Sequence, residues 1–377
     1  MAERDWVPVA KLAAKLGTTA FGGPAAHIAM LRHEVVERRG WLDERRFLDL
    51  NSAASLIPGP NSTELVMHVG HDQAGRRGLL AAGLAFITPA ALITLTLAVL
   101  YERYGATPTG ESLLDGIQPV VLAIVAQAVV AFGRKSVTTP LAAVTAAAVV
   151  ALYLLGVNEL VLLAAGALFP LVVRWRPRRE QVMGLVPVWP SGLGVLPVVV
   201  EQGYSHGQLF WTFLRIGAVL YGSGYVLVAF LRNEFVERLG WLTEQQLLDA
   251  VAIGQVTPGP VFTTATFVGY VTGGYLGALL ATLAIFLPAF VLVGVTHGLV
   301  DRMRRSATLS RLLDGLNVSS TALMLAVLIV LARDALDGPL ATVVTLAAAA
   351  ALFTGRLGPT ALIALGAVVG IGAGWHS

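Results

Sequence analysis

The sequence predicts an all-α polytopic membrane protein made of two inverted-topology repeats, and three observations support that fold class. Of the 377 residues, 56% are apolar and only 13% are charged, whereas soluble domains carry roughly a quarter charged residues. Continuous apolar runs such as residues 79–100 match the roughly 20 residues that a helix needs to cross a bilayer. The alternating strands of an outer-membrane barrel would not give such runs. The third observation is an internal duplication.

The duplication extends over the whole chain. Residues 31–60 align with residues 231–260 at an offset of 200, and 15 of these 30 positions are identical. After one deletion the alignment continues at an offset of 199, which pairs Pro89 with Pro288. Because self-similarity of this length indicates a repeat architecture, we predict a first repeat at 1–174, a cytoplasmic linker at 175–206 and a second repeat at 207–377.

Each repeat is predicted to hold about five transmembrane helices and one broken helical hairpin. The hairpins have about 12 residues on either side of Pro-Gly-Pro, too few for two ordinary crossings, so we interpret them as re-entrant. A hairpin uses an even number of passes, which leaves each repeat an odd number and inverts the second repeat. The spans lie at about 9–31, 78–101, 113–132, 139–156 and 159–173, then 208–231, 276–300, 312–332, 339–354 and 358–374, with hairpins at 47–71 and 247–272.

The basic residues agree with this topology. With the N-terminus outside, 18 of the 26 Lys and Arg residues fall in the cytoplasm, as the positive-inside rule requires. Within the linker, residues 182–200 are mildly apolar but contain three prolines, Pro187, Pro190 and Pro197, which favours an interfacial loop. The alternative is a crossing helix, which would make the repeats parallel.

Composition excludes several classes of function. The absence of cysteine rules out disulfides, iron–sulfur clusters and Cys-based zinc sites, and no His-x-x-Glu-His type spacing indicates a metal site. We find no nucleophile–base pair or phosphate-binding loop, so we expect neither an enzyme nor a cofactor. A net charge of +3 is too near balance to indicate nucleic-acid binding. We also expect no cleavable signal peptide, because the first apolar stretch carries Lys11 and Lys15.

Four helix-breaking sequences lie inside the apolar spans and hairpins. Unpaired backbone groups at membrane depth survive only where they line a cavity or are buried in protein, and paired breaks in inverted halves mark the substrate site of many transporters. The alternative is close helix packing through small residues. The four breaks are Phe21-Gly22-Gly23-Pro24, Pro58-Gly59-Pro60, Tyr221-Gly222-Ser223-Gly224 and Pro258-Gly259-Pro260.

The Pro-Gly-Pro breaks predict an anion site. Pro60 and Pro260 suit the first turn of a helix, where the next N–H groups have no partner within the helix. Two helix N-termini would then point into the protein, each with a partial positive charge. The first can add donors from Asn61, Ser62 and Thr63, and the second from Thr263 and Thr264.

Charged and titratable residues complete the predicted site. Lys15 aligns with Arg215, and we predict that this pair of cations binds the anion; the alternative is that each reaches the nearest membrane surface. Glu64 could carry a proton in a coupled cycle, or instead form a salt bridge. His27 is a weaker proton-coupling candidate whose alternative is a hydrogen-bonded packing role. The repeated charges from Arg32 to Glu44, and from Arg232 to Glu244, predict a structural salt-bridge collar.

The motifs resemble those of the chromate ion transporter family in its two-domain long form. The resemblance rests on the four breaks and on Glu34, Gly40-Trp41-Leu42, Asn61 and Gly240-Trp241-Leu242, and it covers essentially the whole chain. It implies export of chromate across the inner membrane of a prokaryote, driven by the proton motive force, and thereby chromate resistance. The second half departs from the first with Ser223-Gly224 and Val261-Phe262, which indicates that the two half-sites are not equivalent.

The residues and the resemblance therefore predict a secondary transporter for a small tetrahedral oxyanion, with protons as a coupling partner and the bilayer as its environment. Alternating access would come from one half rocking against the other. The alternatives are a transporter of sulfate or another oxyanion, or an anion channel of the same architecture. A membrane enzyme or scaffold is a more distant alternative. The sequence leaves the oligomeric state open, a homodimer included.

Overall fold

The computed structural model describes residues 5–21, 23–174, 204–221, 226–299, 307–336 and 338–373. These residues form helices joined by short connections, with no strand among them, which confirms the all-α class. In the first half the helices are α1 (Val7–Thr19), α2 (Gly23–Arg32), a π-helical turn (His33–Arg38), α3 (Glu44–Ala54), α4 (Asn61–Tyr104), α5 (Pro108–Ser136), α6 (Pro140–Leu154) and α7 (Glu159–Arg174).

The second half repeats this order. Its helices are α8 (His206–Val219), α9 (Leu227–Leu231), a π-helical turn (Arg232–Arg238), α10 (Glu244–Val256), a 3₁₀ turn (Val261–Thr263), α11 (Thr264–Thr296), a 3₁₀ turn (His297–Leu299), α12 (Ala307–Ala335), α13 (Pro339–Phe353) and α14 (Pro359–Ala373).

Four of the described helices are long and apolar enough to cross a membrane. They are α4, α5, α11 and α12, and the shorter apolar helices α6, α7, α13 and α14 pack around them. Local sequence sets their starts: the side chains of Thr107 and Thr139 accept a hydrogen bond from the first turn, and a proline follows each. Both features favour the start of a helix.

The helices α4 and α11 each fold back sharply near one end. In α4 the fold lies at Ala74 and Gly75, where Gly75 adopts a φ of 59° that favours glycine. The arms approach so closely that a β carbon on Gly70 would clash with the backbone of Gly78. Gly273 and Gly274 fold α11 in the same way. Each of these helices therefore consists of a short arm and a long membrane-spanning arm.

The short arms complete the predicted re-entrant hairpins. Arg46 at the start of α3 forms a salt bridge of 2.5 Å with Asp72, and the side chain of Gln73 donates to Trp41 O at 3.2 Å. The two ends of the first hairpin therefore lie together, with Pro-Gly-Pro at the far tip. In the second half, Tyr204 packs on Trp241 and against Gly273. The re-entrant interpretation is confirmed.

One predicted element is wrong in each half, because the apolar spans 9–31 and 208–231 do not cross. Two shorter helices replace each span, and the second helix returns towards the start of the first. Tyr204 precedes α8, yet it contacts Trp241, which follows the π-helical turn after α9. Likewise Lys15 on α1 reaches Glu34, which follows α2, at 2.7 Å. The physical reason is the Gly-rich break, which hydropathy alone reads as part of one continuous span.

The two halves are inverted relative to each other, as predicted, but not for the predicted reason, because the loss of one crossing in each half leaves an even number rather than an odd one. As α4 runs from Leu79 to Gly83, the neighbouring positions on α11 run backwards from Gly294 to Phe290. At the far end of α4, Tyr101 packs on Phe267 at 5.0 Å. Because α4 and α11 are equivalent in the repeat and yet antiparallel, the symmetry axis lies across the helices rather than along them.

The halves also exchange their last helices. Gly116 on α5 lies against Gly366 on α14, and the equivalent Gly315 on α12 lies against Gly166 on α7. Small residues at these crossings let the backbones approach closely, as is common in membrane bundles. The largest buried apolar cluster accordingly includes residues of both halves. Neither half has a complete core without the other.

The two ends of the bundle differ in charge. We call the end that holds Trp41, Arg46 and Asp72 the basic end; Lys135 and Arg311 lie there too. The positive-inside rule predicts that this end faces the cytoplasm. Val9 near the start of α1 belongs to the same buried cluster as Leu42 and Phe47, so α1 starts at the basic end. The predicted placement of the N-terminus on the side opposite the basic residues is therefore wrong. The predicted cytoplasmic linker falls largely on residues 175–203, outside the described residues. Its described flanks, α7 and α8, end and begin at opposite ends of the bundle.

Candidate functional site

The four predicted breaks meet in the middle of the bundle. The N–H of Gly59 donates to Leu220 O at 2.8 Å, and the N–H of Gly259 donates to Ala20 O at 3.0 Å. Each hairpin tip is thus bonded to the break of the opposite half. The predicted residues Gly22, Gly222, Ser223 and Gly224 lie outside the described residues, whereas Gly23 opens α2 beside the junction.

Glycine is required at both tips. Gly59 has a φ of 135° and Gly259 a φ of 92°, values that L-residues rarely adopt. A β carbon on Gly259 would lie 2.7 Å from Ala90 Cβ, and one on Gly59 would overlap the carboxyl of Glu64. Pro58, Pro60, Pro258 and Pro260 flank these glycines in the two turns.

The first tip starts a helix directed into the protein. Pro60 stands just before α4, and its carbonyl accepts from the N–H groups of Thr63 at 2.7 Å and Glu64 at 3.1 Å. The N–H groups of Asn61 and Ser62 precede the first helical hydrogen bonds, so they have no acceptor within the helix. This geometry provides the partial positive charge and free donors on which anion sites at helix starts depend.

His27 holds the first tip in place. Its Nε2 lies 3.0 Å from Ala20 O and its Nδ1 lies 3.2 Å from Ser62 Oγ, while its buried ring packs on Phe86. Both contacts are satisfied by a neutral imidazole that donates from Nε2–H to the carbonyl and accepts at Nδ1 from the Ser62 hydroxyl. These contacts favour the packing role over proton coupling.

Glu64 is the exceptional polar residue of the junction. Its side chain is fully buried, and neither carboxyl oxygen has a hydrogen-bond partner among the described residues. The Oγ1 of neighbouring Thr63 is buried without a partner as well. An ionised carboxylate in such surroundings would cost several kcal/mol. A group of this kind is suited to gaining and losing a proton.

The second tip is filled rather than open. Its chain enters a 3₁₀ turn before α11, and the hydroxyls of Thr263 and Thr264 donate to Pro260 O at 2.9 Å and Val261 O at 2.8 Å. Buried Phe262 packs near Phe286. The hydroxyl donors that the sequence assigned to the anion are therefore bonded within the turn.

A polar cavity of about 400 Å³ reaches the first tip from the basic end. Asn61 and Ser55 line its inner part, and Lys135, Arg311 and Asp314 line it nearer the basic end. Ser320 on the cavity wall donates to Tyr221 O at 2.9 Å, and Tyr221 in turn donates to Ser55 O. Helices α5, α6 and α12 thus form a polar passage to the start of α4.

Sequence reasoning missed this passage. Neither Lys135 and Arg311 nor the polar residues of α12 are among the site residues that the sequence predicts. One indication was available: Asn317, Ser320 and Thr321 lie on adjacent turns of an otherwise apolar helix. Such polar residues within a span favour a water-filled or polar interior.

The paired cations form ion pairs near the two ends of the bundle. Lys15 bonds Glu34 at 2.7 Å and Arg215 bonds Glu234, and both carboxylates are buried. Hydrogen bonds from Lys15 and then from two neighbouring arginines lower the pKa of Glu34 to about 2 despite its burial. This geometry favours a structural role, and anion binding by Lys15 and Arg215 stays a prediction.

The predicted salt-bridge collar is confirmed on both halves. Arg32 bonds Glu37 at 2.5 Å and Glu44 at 2.7 Å, and the equivalent Arg232 bonds Glu237 and Glu244. Each collar ties the π-helical turn to the first residue of a hairpin. The base of each hairpin is therefore fixed, while its tip lies in the junction.

Together these features define a helical membrane transporter, since inverted halves with paired chain breaks facing a polar cavity are the architecture of secondary transporters. The chain belongs to the chromate transporter family, whose match covers residues 8–171 and 207–371, one for each repeat. The recognised resemblance is thereby confirmed.

Curated relatives cover most of the chain. It is 33% identical to the chromate transport protein of Pseudomonas aeruginosa, over 85% of this chain and 79% of the relative. It is 30% identical to a probable chromate transport protein of Synechococcus elongatus, over 85% and 83% of the two chains. The chromate transport protein of Cupriavidus metallidurans is 28% identical over 95% and 90%. No solved structure gives a significant match.

Proposed function

We propose that this protein is a secondary active transporter that exports chromate from the prokaryotic cytoplasm and thereby confers chromate resistance. Family membership supports the substrate. The observation that supports the mechanism is the polar cavity, which joins the basic end to the start of α4 at Asn61. The carboxyl of Glu64, which has no partner among the residues described, lies within one turn of Asn61.

The anion would bind where the cavity meets the first hairpin. A tetrahedral dianion needs several converging N–H and O–H donors. The free N–H groups at the start of α4 and the side-chain amide of Asn61 provide such donors in one place. Lys135 and Arg311 lie nearer the basic end, where their charges would concentrate anions from the cytoplasm.

The membrane potential supplies the driving force. Moving one elementary charge through 100 mV is worth about 2.3 kcal/mol, and the inside-negative potential of a bacterial cell favours the exit of an anion. The electrical component of the proton motive force therefore favours the export of a dianion.

Glu64 would set the proton requirement. Asn61 and Glu64 lie within one turn of the same helix, so an ionised Glu64 would repel a dianion at the start of α4. Protonation removes that repulsion, and the proton and the anion should therefore bind together. One proton carried with one chromate leaves a net charge of −1, which the potential still moves outwards.

The described arrangement corresponds to one end state of alternating access. The cavity extends to the basic end from the first tip, and the second tip, filled by Phe262, lies on the other side of the junction. Rocking of one half against the other around the two inter-half hydrogen bonds would open the site to the opposite end.

Flux measurements in proteoliposomes test the proposal. We expect saturable chromate counterflow, and net chromate flux that rises with an imposed electrical potential and carries protons. Sulfate is the matched control anion, because it keeps its charge over the pH range in which chromate gains a proton. Sulfate flux without chromate flux would contradict the substrate.

The channel alternative has its own outcome. If Glu64→Gln abolished proton movement yet left a large passive anion current, the protein would be an anion channel rather than a secondary transporter. Absence of any chromate or sulfate flux from correctly inserted protein would contradict transport of these oxyanions altogether.

A further inference from the structure

Three histidines meet at the basic end, at the contact between the two halves. His68 and His71 lie on the short arm of α4, and His297 lies in the 3₁₀ turn after α11. His68 Nδ1 is 3.0 Å from His297 Nδ1, and the rings of His71 and His297 are 3.9 Å apart. None of these residues belongs to the anion site described above.

The cluster continues the face of α4 that carries Glu64. Positions 64 and 68 are one helical turn apart, so their β carbons lie about 6 Å from each other. The carboxyl of Glu64 and Nε2 of His68 are both buried, and both lack a partner among the described residues. Two unpartnered titratable groups on successive turns of one helix face are within reach of a direct hydrogen bond or of one bridging water.

The outer side of the cluster leads to charged groups at the end of the bundle. His297 Nε2 lies 3.7 Å from Asp72, and Asp72 is bonded to Arg46 on α3. Arg76 is the further charged residue near His71. The series Glu64, His68, His297 and Asp72 therefore runs from the mid-bundle junction to the basic end.

We propose that His68, His297 and Asp72 form the proton pathway between Glu64 and the cytoplasm; this inference rests on the proposed role of Glu64 as the coupled proton carrier. The contact between the two Nδ1 atoms requires one to donate and the other to accept. A proton arriving at His297 Nε2 from Asp72 or water releases the Nδ1 proton to His68. His68 then passes its Nε2 proton to Glu64, so that one proton enters for each proton delivered.

Two further observations favour a proton pathway over other uses of the cluster. Within the described residues no group of His, Cys, Asp or Glu has the arrangement of a metal site. In the second half, Thr264, Phe267 and Tyr270 occupy the positions equivalent to Glu64, His68 and His71, because the fold at Gly273 and Gly274 matches that at Ala74 and Gly75. The second half therefore lacks both the carboxyl and the histidines. This is expected if the histidines deliver protons to the carboxyl.

The test separates proton movement from anion movement. Chromate–chromate exchange needs no net proton transfer, whereas net chromate flux moves protons that a pH dye inside the vesicles reports. We expect His68→Gln and His297→Gln each to slow proton-coupled flux by about tenfold or more while leaving exchange within about twofold. His33→Gln is the matched control, because His33 is exposed and bonds the collar residue Glu37, away from the histidine cluster.

A rescue experiment removes the ambiguity of misfolding. In His297→Ala, imidazole added to the medium should restore part of the proton-coupled flux, because it can occupy the space of the lost ring and carry the same proton. A loss of packing alone would not respond to a small base. If His68→Gln also lost chromate exchange, that variant could be misfolded. Rescue of His297→Ala by imidazole would then support the proton pathway, and failure of the rescue would contradict it.

Two results would overturn different statements. Wild-type proton coupling in both histidine variants, alongside an uncoupled Glu64→Gln, would refute the pathway and leave the proposed function intact. Wild-type coupling in Glu64→Gln itself would refute the role of Glu64 and, with it, the pathway.

Discussion

The two hairpin tips have the same backbone and different chemistry. Both place a glycine with positive φ in the junction, and both donate its N–H to the opposite half. At the first tip, however, polar atoms of Glu64 and Thr63 have no partner within the part of the chain that the structure describes, whereas Thr263 and Thr264 at the second are bonded within their own turn. The backbone contacts maintain the shared scaffold, and the polar chemistry is concentrated in one half.

The helix crossings behind the tips show the same division. Gly17 packs on the backbone of Phe86 and the equivalent Gly217 on that of Ile285, so this crossing is present in both halves. The cavity, by contrast, follows the first tip alone among the described residues: Asn317 and Ser320 line it, while Gln118 and Val121 hold the equivalent positions on α5. An inverted repeat can thus be symmetrical in packing and one-sided in function.

The largest expected effect concerns the inversion of the two halves. A cysteine is labelled either from outside the intact cell or only after permeabilisation, so the result is all or none. Arg45 and Gln245 are exposed, repeat-equivalent positions at the starts of α3 and α10. In a chain without native cysteine, we expect Gln245→Cys to react with an impermeant maleimide added to intact cells and Arg45→Cys to react only after permeabilisation. Asp5→Cys should behave like Arg45→Cys. Labelling of positions 45 and 245 from the same side would contradict the inversion.

Replacing Glu64 should give the next largest effect. We expect Glu64→Gln to reduce proton-coupled chromate flux about 100-fold, the scale of losing a proton-transfer group, because the amide keeps the shape and cannot carry the proton. The matched change Thr264→Val removes one hydrogen bond within a turn, worth about 1 kcal/mol, and should leave coupling unchanged. Equal losses in both variants would mean that the two tips share the chemistry.

Alanine substitutions at the two tip glycines, Gly59 and Gly259, should affect stability and transport to different extents. Alanine at either position incurs about 1–2 kcal/mol for its positive φ. At Gly259 the added methyl also meets Ala90 and the backbone of Gly17, so we expect a lower unfolding temperature. At Gly59 it meets the Glu64 side chain, which can move, so we expect transport to fall more than stability. The reverse ranking would argue against the assigned roles.

The cations of the cavity should have a smaller effect. We expect Lys135→Gln and Arg311→Gln each to raise KM for chromate several-fold with little change in kcat, because exposed charges attract the anion without holding it in the site. The effect should weaken at high salt, since screening acts on exposed charges. Arg356→Gln is the control, because Arg356 is exposed in the short turn between α13 and α14. An unchanged KM in both variants would place anion access elsewhere.

Sequence reasoning predicted what is local or repeated. The inverted repeats, the Pro-Gly-Pro hairpins and Glu64 follow from residues within one segment or its copy. The return of α2 along α1 was missed, because two short apolar helices around Gly22 and Gly23 have the same hydropathy as one long span. The cavity was missed because its walls come from helices far apart in the sequence.

The ion pair of Lys15 could have been found. Lys15 and Glu34 are 19 residues apart, and so are Arg215 and Glu234. When a cation and a carboxylate recur at the same spacing in both halves, an ion pair between them is a simpler interpretation than a ligand site. Considered without their carboxylates, the two cations were assigned to the anion site. The repeated cation–carboxylate pair instead indicates a structural contact between the re-entrant helices.

The smallest expected effects come from these paired cations, and their sizes should differ between the halves. Without Lys15, Glu34 keeps Arg38 at 2.9 Å and Arg39 at 3.1 Å, so Lys15→Ala should cost less than about 1 kcal/mol. Glu234 would keep Arg238, with the buried carboxyl of Glu159 close by. Because Arg215 is partly exposed, we reduce the value for a buried pair to about 1–2 kcal/mol for Arg215→Ala.

Thermal unfolding measures this difference, and chromate KM tests the competing role. We expect KM within about twofold of wild type in both variants, whereas a large rise in KM with unchanged stability would restore the anion-binding prediction. The pH dependence has a defined sign: because the pKa of Glu34 is lowered to about 2, its ion pair contributes fully above the ordinary glutamate pKa of roughly 4.3. The contribution is lost only as the pH falls towards 2, so Lys15→Ala should have the same effect on stability at every physiological pH.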